Sequence, residues 1–497
     1  MLYREFRFLP IAVAFALAAL AITACTGPTD GGTLTQAPPT TPPVDTQRTP
    51  PPPPADTTTR AKLPWVVAAT VGEVLHVDLS AAPADSRVAL GPNAQYSARV
   101  LDASPDLTVT GALLSGAPQR PRVTRVEVVA LPATGAPVRD TLSIAVFTAG
   151  LPTPREALLS FDYAAALPAH LAVVPGLPPG FVSVENDSSL ANPITNAGAL
   201  LGRVLFYDRR LSVNDSVSCG SCHQQARGFA DSARFSVGVH GQRSTRRAMA
   251  LSGVRFSIGM GFFWDSRTRT LEELATQPIE NPRELGSAMP DVVAKVQATT
   301  YYAPLFTSAF GSALVTKERI ARALSQFLRS LVSKDSEFDR SHRAGAFSPD
   351  LLAGGARSGF NIFISACAGC HFSSAQMMSH PVNSGLDAVP TDTGAGHGKF
   401  HAPSLRNVAV RGPFMHDGRF KTLEEVIDFY DKDVADTPDL DPRLRLQFSG
   451  PAKILGLTTQ QKADIKTFLE SLTDVTFLTT EKFSDPFSAS RSSLQQK

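Results

Sequence analysis

Two five-residue runs, Cys219-Gly220-Ser221-Cys222-His223 and Cys367-Ala368-Gly369-Cys370-His371, take four of the five cysteines in this 497-residue chain. Each has the pattern by which haem is attached covalently. Two thiols three apart form thioethers to the haem vinyl groups, and the next histidine is held against the iron as its proximal ligand. A zinc site built from two Cys-x-x-Cys pairs is the competing reading. Zinc ribbons separate their pairs by about 15–20 residues, whereas these runs begin 148 apart and each ends in histidine.

The fifth cysteine has a separate explanation. Arg4 and Arg7 precede an apolar run from Phe8 to Leu20, and Ile22-Thr23-Ala24 then places small residues before Cys25. This order resembles a bacterial lipobox, with Cys25 becoming the lipidated first residue of the mature chain. The alternatives are a plain signal peptide or an N-terminal membrane helix, for which the run is short. Thr26 in place of Asp favours the outer membrane. Export is consistent with covalent haem attachment, which in bacteria is periplasmic chemistry, so a periplasmic, lipid-anchored protein is expected. With Cys25 and both pentads assigned, no cysteine remains for a disulfide, and haem supplies the cross-links.

Residues 26–62 are rich in Pro and Thr, including Pro50 to Pro54, and read as an extended tether. From 63 to 150 short β-rich runs such as Val74-Leu75-His76-Val77-Asp78-Leu79 alternate with Gly, Pro and Asp clusters, as in a small immunoglobulin-like sandwich. His76 is a surface or packing residue there. Helices dominate beyond 160: Ile320, Ala323, Leu324, Phe327, Leu328 and Leu331 share a face behind Thr316 as cap, and Thr458-x-x-Gln461 opens a last amphipathic helix. The expected fold is mainly α, two cytochrome c-like haem domains in tandem (160–345 and 346–480) preceded by the β-sandwich, with a loose tail over 481–497. The net charge of +2 gives no support to nucleic-acid binding.

An internal repeat links the two haem domains. Phe263-Trp264-Asp265-Ser266-Arg267-Thr268-Arg269-Thr270-Leu271-Glu272-Glu273 aligns with Met415-His416-Asp417-Gly418-Arg419-Phe420-Lys421-Thr422-Leu423-Glu424-Glu425 at an offset of 152. Each pentad is thus followed by an aromatic-Asp-x-Arg turn into a capped helix. The proximal histidine fills one axial position of iron, so function depends on the other. In the second repeat Leu423, Val426, Ile427 and Tyr430 share one helical face, making Tyr430 a candidate distal ligand. Met377, Met378, Met415, His397 and His401 are rivals, and an ordinary core tyrosine is the bland alternative. The equivalent position in the first repeat is Pro278, which offers iron no donor. Beside it, Glu280 and Glu284 are either solvated loop charges or, next to an open iron, a means of moving a proton between peroxide oxygens.

From about 195 to 475 the sequence resembles bacterial di-haem cytochrome c peroxidases and their relative, the methylamine-utilisation enzyme MauG. The matching motifs are Leu201-Gly202-Arg203-Val204-Leu205-Phe206-Tyr207-Asp208, Phe263-Trp264-Asp265, Pro278 to Gly286, Ala402-Pro403-Ser404-Leu405-Arg406-Asn407-Val408 and Pro413 to Arg419. The resemblance implies that the first haem reacts with peroxide, that Glu284 is the acid-base carboxylate, and that Trp264 lies between the haems as an electron relay. Peroxidases of this kind place a methionine at the position of Tyr430, and MauG-like members a tyrosine. Tyrosinate stabilises oxidised iron, so the second haem is expected to be hard to reduce. His240 lies one place away from a histidine that blocks the first haem in peroxidases needing reductive activation, making it either a candidate displaceable ligand or a surface loop residue. The family's calcium-binding asparagine falls at Arg247, a cation that argues against calcium, although backbone oxygens near Arg411 and Pro413 remain available to such an ion.

These readings converge on a peroxidase with two covalently bound haem c groups, acting on hydrogen peroxide with electrons from a small cytochrome or another redox protein. A MauG-like oxidase that modifies a side chain of a protein substrate is the alternative within the enzyme class. A di-haem electron carrier is the alternative outside it.

Overall fold

The computed structural model describes residues 64–488, except 85, 91–92, 156–159, 172–190, 258–260, 344–345 and 372–379. Cys25, the tether, Met377, Met378 and residues 489–497 lie outside the described residues.

Seven strands build the N-terminal part: β1 (Val66–Thr70), β2 (Leu75–Asp78), β3 (Gln95–Val100), β4 (Leu107–Thr110), β5 (Leu113–Gly116), β6 (Arg122–Leu131) and β7 (Val138–Phe147). They form a four-stranded sheet, order β1-β7-β6-β3, and a three-stranded sheet, order β2-β5-β4. β1 runs parallel to β7, with Val66 opposite Ser143, while the other pairs are antiparallel. Period-two alternation puts Val126, Val128 and Ala130 of β6 and Leu142, Ile144 and Val146 of β7 into one core with Leu75, Val77 and Leu114. His76 points outward. The immunoglobulin-like expectation therefore holds.

The larger sheet's outer face is covered. Among the described residues eight helices of six or more residues follow: α1 (Asn196–Tyr207), α2 (Leu271–Glu280), α3 (Met289–Ala298), α4 (Tyr302–Phe310), α5 (Lys317–Ser330), α6 (Gly354–Ala366), α7 (Leu423–Asp428) and α8 (Thr459–Glu470). Val123 of β6 and Ala145 of β7 pack on Ala294 of α3, an Arg125–Asp291 ion pair joins the same elements, and Thr148 N donates to Asp215 Oδ2 at 2.8 Å.

Thr316 caps α5 by accepting from Arg319 N at 3.2 Å, and Thr458 with Gln461 closes a capping box at α8. Each helical repeat is organised by one helix crossing, α1 on α5 and α6 on α8. A Cβ at Gly202 would lie 1.9 Å from the Ala323 carbonyl oxygen, and one at Gly359 would lie 1.9 Å from that of Asp464. Both backbones approach this closely only because glycine stands there. Phe327 and Phe468 are buried beneath the two crossings, each contributing about 1.5–3 kcal/mol of apolar burial.

The repeat is literal in three dimensions. Phe262 bridges Thr268 and Phe414 bridges Phe420; Phe263 and Met415 both take left-handed φ of 66° and 69°; Thr270 and Thr422 cap the following helices. One expectation needs correction. Residues 481–488 are packed rather than loose, because buried Arg203 and Tyr207 of α1 need acceptors. Arg203 Nε donates to Ser484 O at 2.7 Å, Tyr207 Oη to Phe483 O at 2.7 Å, and Phe483 is buried. Among the described residues, no helix is long and apolar enough to cross a membrane.

Candidate active site

The first pentad forms a single helical turn, Cys219–Cys222, with Ser218 and Ser221 closing a capping box. Gly220 is required because a Cβ there would lie 2.4 Å from the Tyr207 ring. His223 leaves the turn with Nδ1 2.8 Å from the Phe229 carbonyl, so Nδ1–H donates and Nε2 is the nitrogen able to ligate a metal. Burial holds its pKa below the usual histidine value, which keeps the imidazole neutral as a ligand must be. Burial also pushes the Cys219 and Cys367 thiols up to about 12 and Cys222 to about 11. Zinc binds thiolates, which this environment disfavours, whereas a thioether carries no charge. Among the described residues no group of three or more His, Cys, Asp or Glu side chains is placed to hold a metal.

Cys219, Cys222 and His223 open onto a cavity of about 780 Å³ that also meets Trp264, Pro278 and Glu284. Pro278 stands inside α2, and the chain then turns back, with Leu285 N donating to Pro278 O at 3.1 Å. That turn carries Glu284 to the cavity wall. Its Oε1 accepts from Asn281 Nδ2 at 2.8 Å. Burial raises the Glu284 pKa above the ordinary carboxylate value, while the Asn281 bond and the Arg267 charge act against that rise. Glu280 points away and pairs with Lys317 at 3.1 Å on the exposed rim.

His240 is not brought to this cavity. Gly238 N bonds Gln242 O, Gly241 takes φ 74°, and the resulting turn holds His240 exposed at its tip. The Gly238 backbone is pinned against Arg283, since a Cβ there would lie 2.0 Å from the Arg283 carbonyl oxygen. The one-residue displacement seen in the sequence thus aims the imidazole at solvent.

The second cavity, narrower at about 240 Å³, is lined by Cys367, Cys370, His371, Met415 and Tyr430. Tyr430 does not continue α7 as a regular helix face. α7 ends at Asp428 and Tyr430 sits in a π turn, Phe429–Asp433, yet it still reaches the cavity. Burial raises its phenol pKa above the usual tyrosine value. Of the rivals, Met415 shares the cavity, while His397 is exposed and paired with Asp439 at 3.2 Å.

Six residues line both cavities: Arg247, Met249, Ala250, Trp264, His401 and Pro403. Trp264 Nε1 donates to Arg247 O at 2.8 Å, and its ring meets the edge of His416, its own counterpart in the repeat, at 6.4 Å. Arg247 lies deep: its Nη2 donates to the Arg411 carbonyl and to Asp231 O at 2.7 Å. A guanidinium therefore occupies the Arg411 carbonyl, one of the backbone oxygens open to calcium. Burial lowers the pKa of Arg247 to about 10 and of Arg411 to about 9. His401 is 4% exposed, and neither ring nitrogen has a hydrogen-bond partner. Buried cations beside an apolar cavity, together with an unsatisfied imidazole, suit a large apolar group bearing carboxylates, which describes haem.

A family profile described as di-haem cytochrome c peroxidase matches residues 196–346. The methylamine utilization protein MauG of Methylorubrum extorquens is 34% identical over 295 residues, covering 57% of this chain and 80% of that protein. The cytochrome c551 peroxidase of Nitrosomonas europaea is 33% identical, covering 46% and 71%. The chain belongs to the di-haem cytochrome c peroxidase family. A crystal structure of a MauG-like protein associated with microbial copper homeostasis superposes with a TM-score of 0.55 at 31% identity, over 64% of this chain and all of that one.

Within this di-haem peroxidase chain, sequence reasoning missed Asn281 as the partner of Glu284 and took His401 only as a rival ligand. Asn281 stands three residues before Glu284, a turn spacing that signals the contact. His401 had no such local signal, because its burial depends on chain segments more than a hundred residues away.

Proposed function

We propose that hydrogen peroxide is reduced in the first cavity with electrons passed through the second. The reading rests on one asymmetry: Pro278 and Glu284 line the first cavity, whereas Tyr430 occupies the equivalent position at the second. A haem in each cavity would supply the redox-active iron, with Cys219, Cys222 and His223 holding one and Cys367, Cys370, His371 and Tyr430 the other. Glu284 takes a proton from the near oxygen of peroxide and returns it to the far one. Asn281 fixes Oε1, so this traffic falls to Oε2. Cleavage of the O–O bond then releases water, and two protons and two electrons convert each peroxide to two waters in all. Trp264, on the wall common to both cavities, is the relay. Its indole N–H is held by Arg247 O, which supports positive charge on the ring.

The oxidising equivalents are returned by a small cytochrome or other redox protein. Tyr430 favours a second reading, in which peroxide drives oxidation of a side chain on a protein substrate. Cys25 anchors the chain by lipid at the outer membrane, facing the periplasm, and residues 26–62 tether the body.

The deciding experiment adds peroxide to the as-isolated ferric protein and follows its optical and EPR spectra. Direct reaction is expected, with a high-spin signal at rest from the first site. A resting spectrum with no high-spin component would establish an electron carrier instead, and reaction only after one-electron reduction would remove the role given to Tyr430.

A further inference from the structure

The internal repeat supplies a comparison between two arginines at the same place. Arg419 in the second domain is clamped: its Nη1 and Nη2 meet Asp387 Oδ1 and Oδ2 at 2.8 and 2.9 Å, Nε meets Asp417 Oδ2 at 2.8 Å, and Nη1 donates to Leu386 O at 3.0 Å. Arg267 in the first domain has one carboxylate bond, Nη1 to Asp265 Oδ1 at 2.9 Å, and a long Nε bond to Gln277 Oε1 at 3.3 Å. Its guanidinium lies over the Phe263 ring, 3.5 Å from the centroid, and its side chain is 43% exposed. A bidentate clamp resists rotation of the fork, whereas one carboxylate and an exposed ring contact do not.

The loosely held arginine stands at an entrance. An outer cavity of about 410 Å³ shares Phe263, Arg267, Pro278, Asn281 and Glu284 with the cavity over the first pentad. Phe263 is held in place by the backbone, since its φ of 66° is the left-handed conformation that Met415 repeats in the second domain. The stacked pair therefore has a fixed half, the phenyl ring, and a movable half, the guanidinium.

We propose that Arg267 stacked on Phe263 is a gate on a solvent passage to Glu284, passing hydrogen peroxide and other small ligands and holding back bulky hydroperoxides. The gate has a purpose only at the first cavity. The clamped Arg419 belongs to the domain where Tyr430 lines the corresponding position. This inference rests on the first site being open to peroxide, as proposed above.

The test uses ferric holoprotein in stopped flow, with cyanide as the small probe and 4-phenylimidazole as the bulky one, read by the haem absorption band. In wild type, cyanide binds readily and 4-phenylimidazole slowly. Arg267→Ala should speed 4-phenylimidazole binding about tenfold with cyanide changed less than about twofold, as expected when only the access step is altered. Phe263→Leu, which keeps an apolar side chain but removes the stacking face, should act in the same direction and decides the matter if Arg267→Ala folds poorly. Arg419→Ala should leave both rates unchanged. Failure of cyanide to bind wild type would overturn the open first site. Normal cyanide binding with 4-phenylimidazole rates unmoved in both gate variants, or equally raised by Arg419→Ala, would overturn the gate alone.

Discussion

Asn281 offers the sharpest probe of how Glu284 is tuned. Its Nδ2 donates to Glu284 Oε1 at 2.8 Å, favouring the anion against burial, which raises the carboxyl pKa. A hydrogen bond to a charged acceptor is worth about 1.5–3 kcal/mol, and in a half-buried site water returns part of it. At about 1.4 kcal/mol per pH unit, Asn281→Ala should move the acid limb of kcat/KM for hydrogen peroxide upward by about one unit. The sign follows from the state required: Glu284 must be ionised to accept the first proton, and a less stabilised anion appears only at higher pH. Asn281 Oδ1 also accepts from Arg283 N at 3.0 Å, so Asn281→Ala loosens the turn as well. Asn281→Asp keeps that acceptor and sets a second carboxylate against Glu284, moving the limb further up. Glu284→Gln should abolish the limb and lower kcat/KM by about 10²–10⁴-fold. An acid limb unmoved in both Asn281 variants, or one that survives in Glu284→Gln, would show that another group carries the proton.

Two further outcomes are expected. Gly359→Ala should destabilise the holoprotein by about 1–3 kcal/mol through overpacking against the Asp464 carbonyl, read as a Tm lower by roughly 2–4 °C for each kcal/mol; an unchanged Tm would mean the crossing relaxes at no cost. Dialysis against EDTA should leave the spectrum and peroxide turnover intact, because the Arg247 guanidinium already binds the Arg411 carbonyl. Activity lost to EDTA and restored by calcium would contradict this.

Much of the site could be read along the chain because its chemistry is local. A pentad places two sulfurs and an imidazole on one turn, and Thr270 and Thr422 announce their helices by the same capping bond. The offset of 152 sets Tyr430 against Pro278, and each lines its own cavity, although the helix widens into a π turn before Tyr430. The direction of His240 was not legible, for the opposite reason. A shift of one residue in a turn reverses the direction of a side chain, and only the packing of Gly238 on Arg283 decides which way it points.

What the sequence determined by itself was the two Cys-x-x-Cys-His runs, the helix starts and the alternation of the strands, set by spacings of a few residues, and the duplication, set by one constant offset. Tertiary structure decided which groups share a cavity. It buried His401 between the two pentads, put Arg247 on the carbonyl of Arg411, drew residues 481–488 back onto α1 and covered β6 and β7 with α3. Apart from the His401 imidazole, whose ring nitrogens have no partner, each of those outcomes gives a buried charge, polar group or apolar face a partner from a distant part of the chain. Nothing in the neighbouring residues records such a partner, since the need for it arises only once water has been excluded.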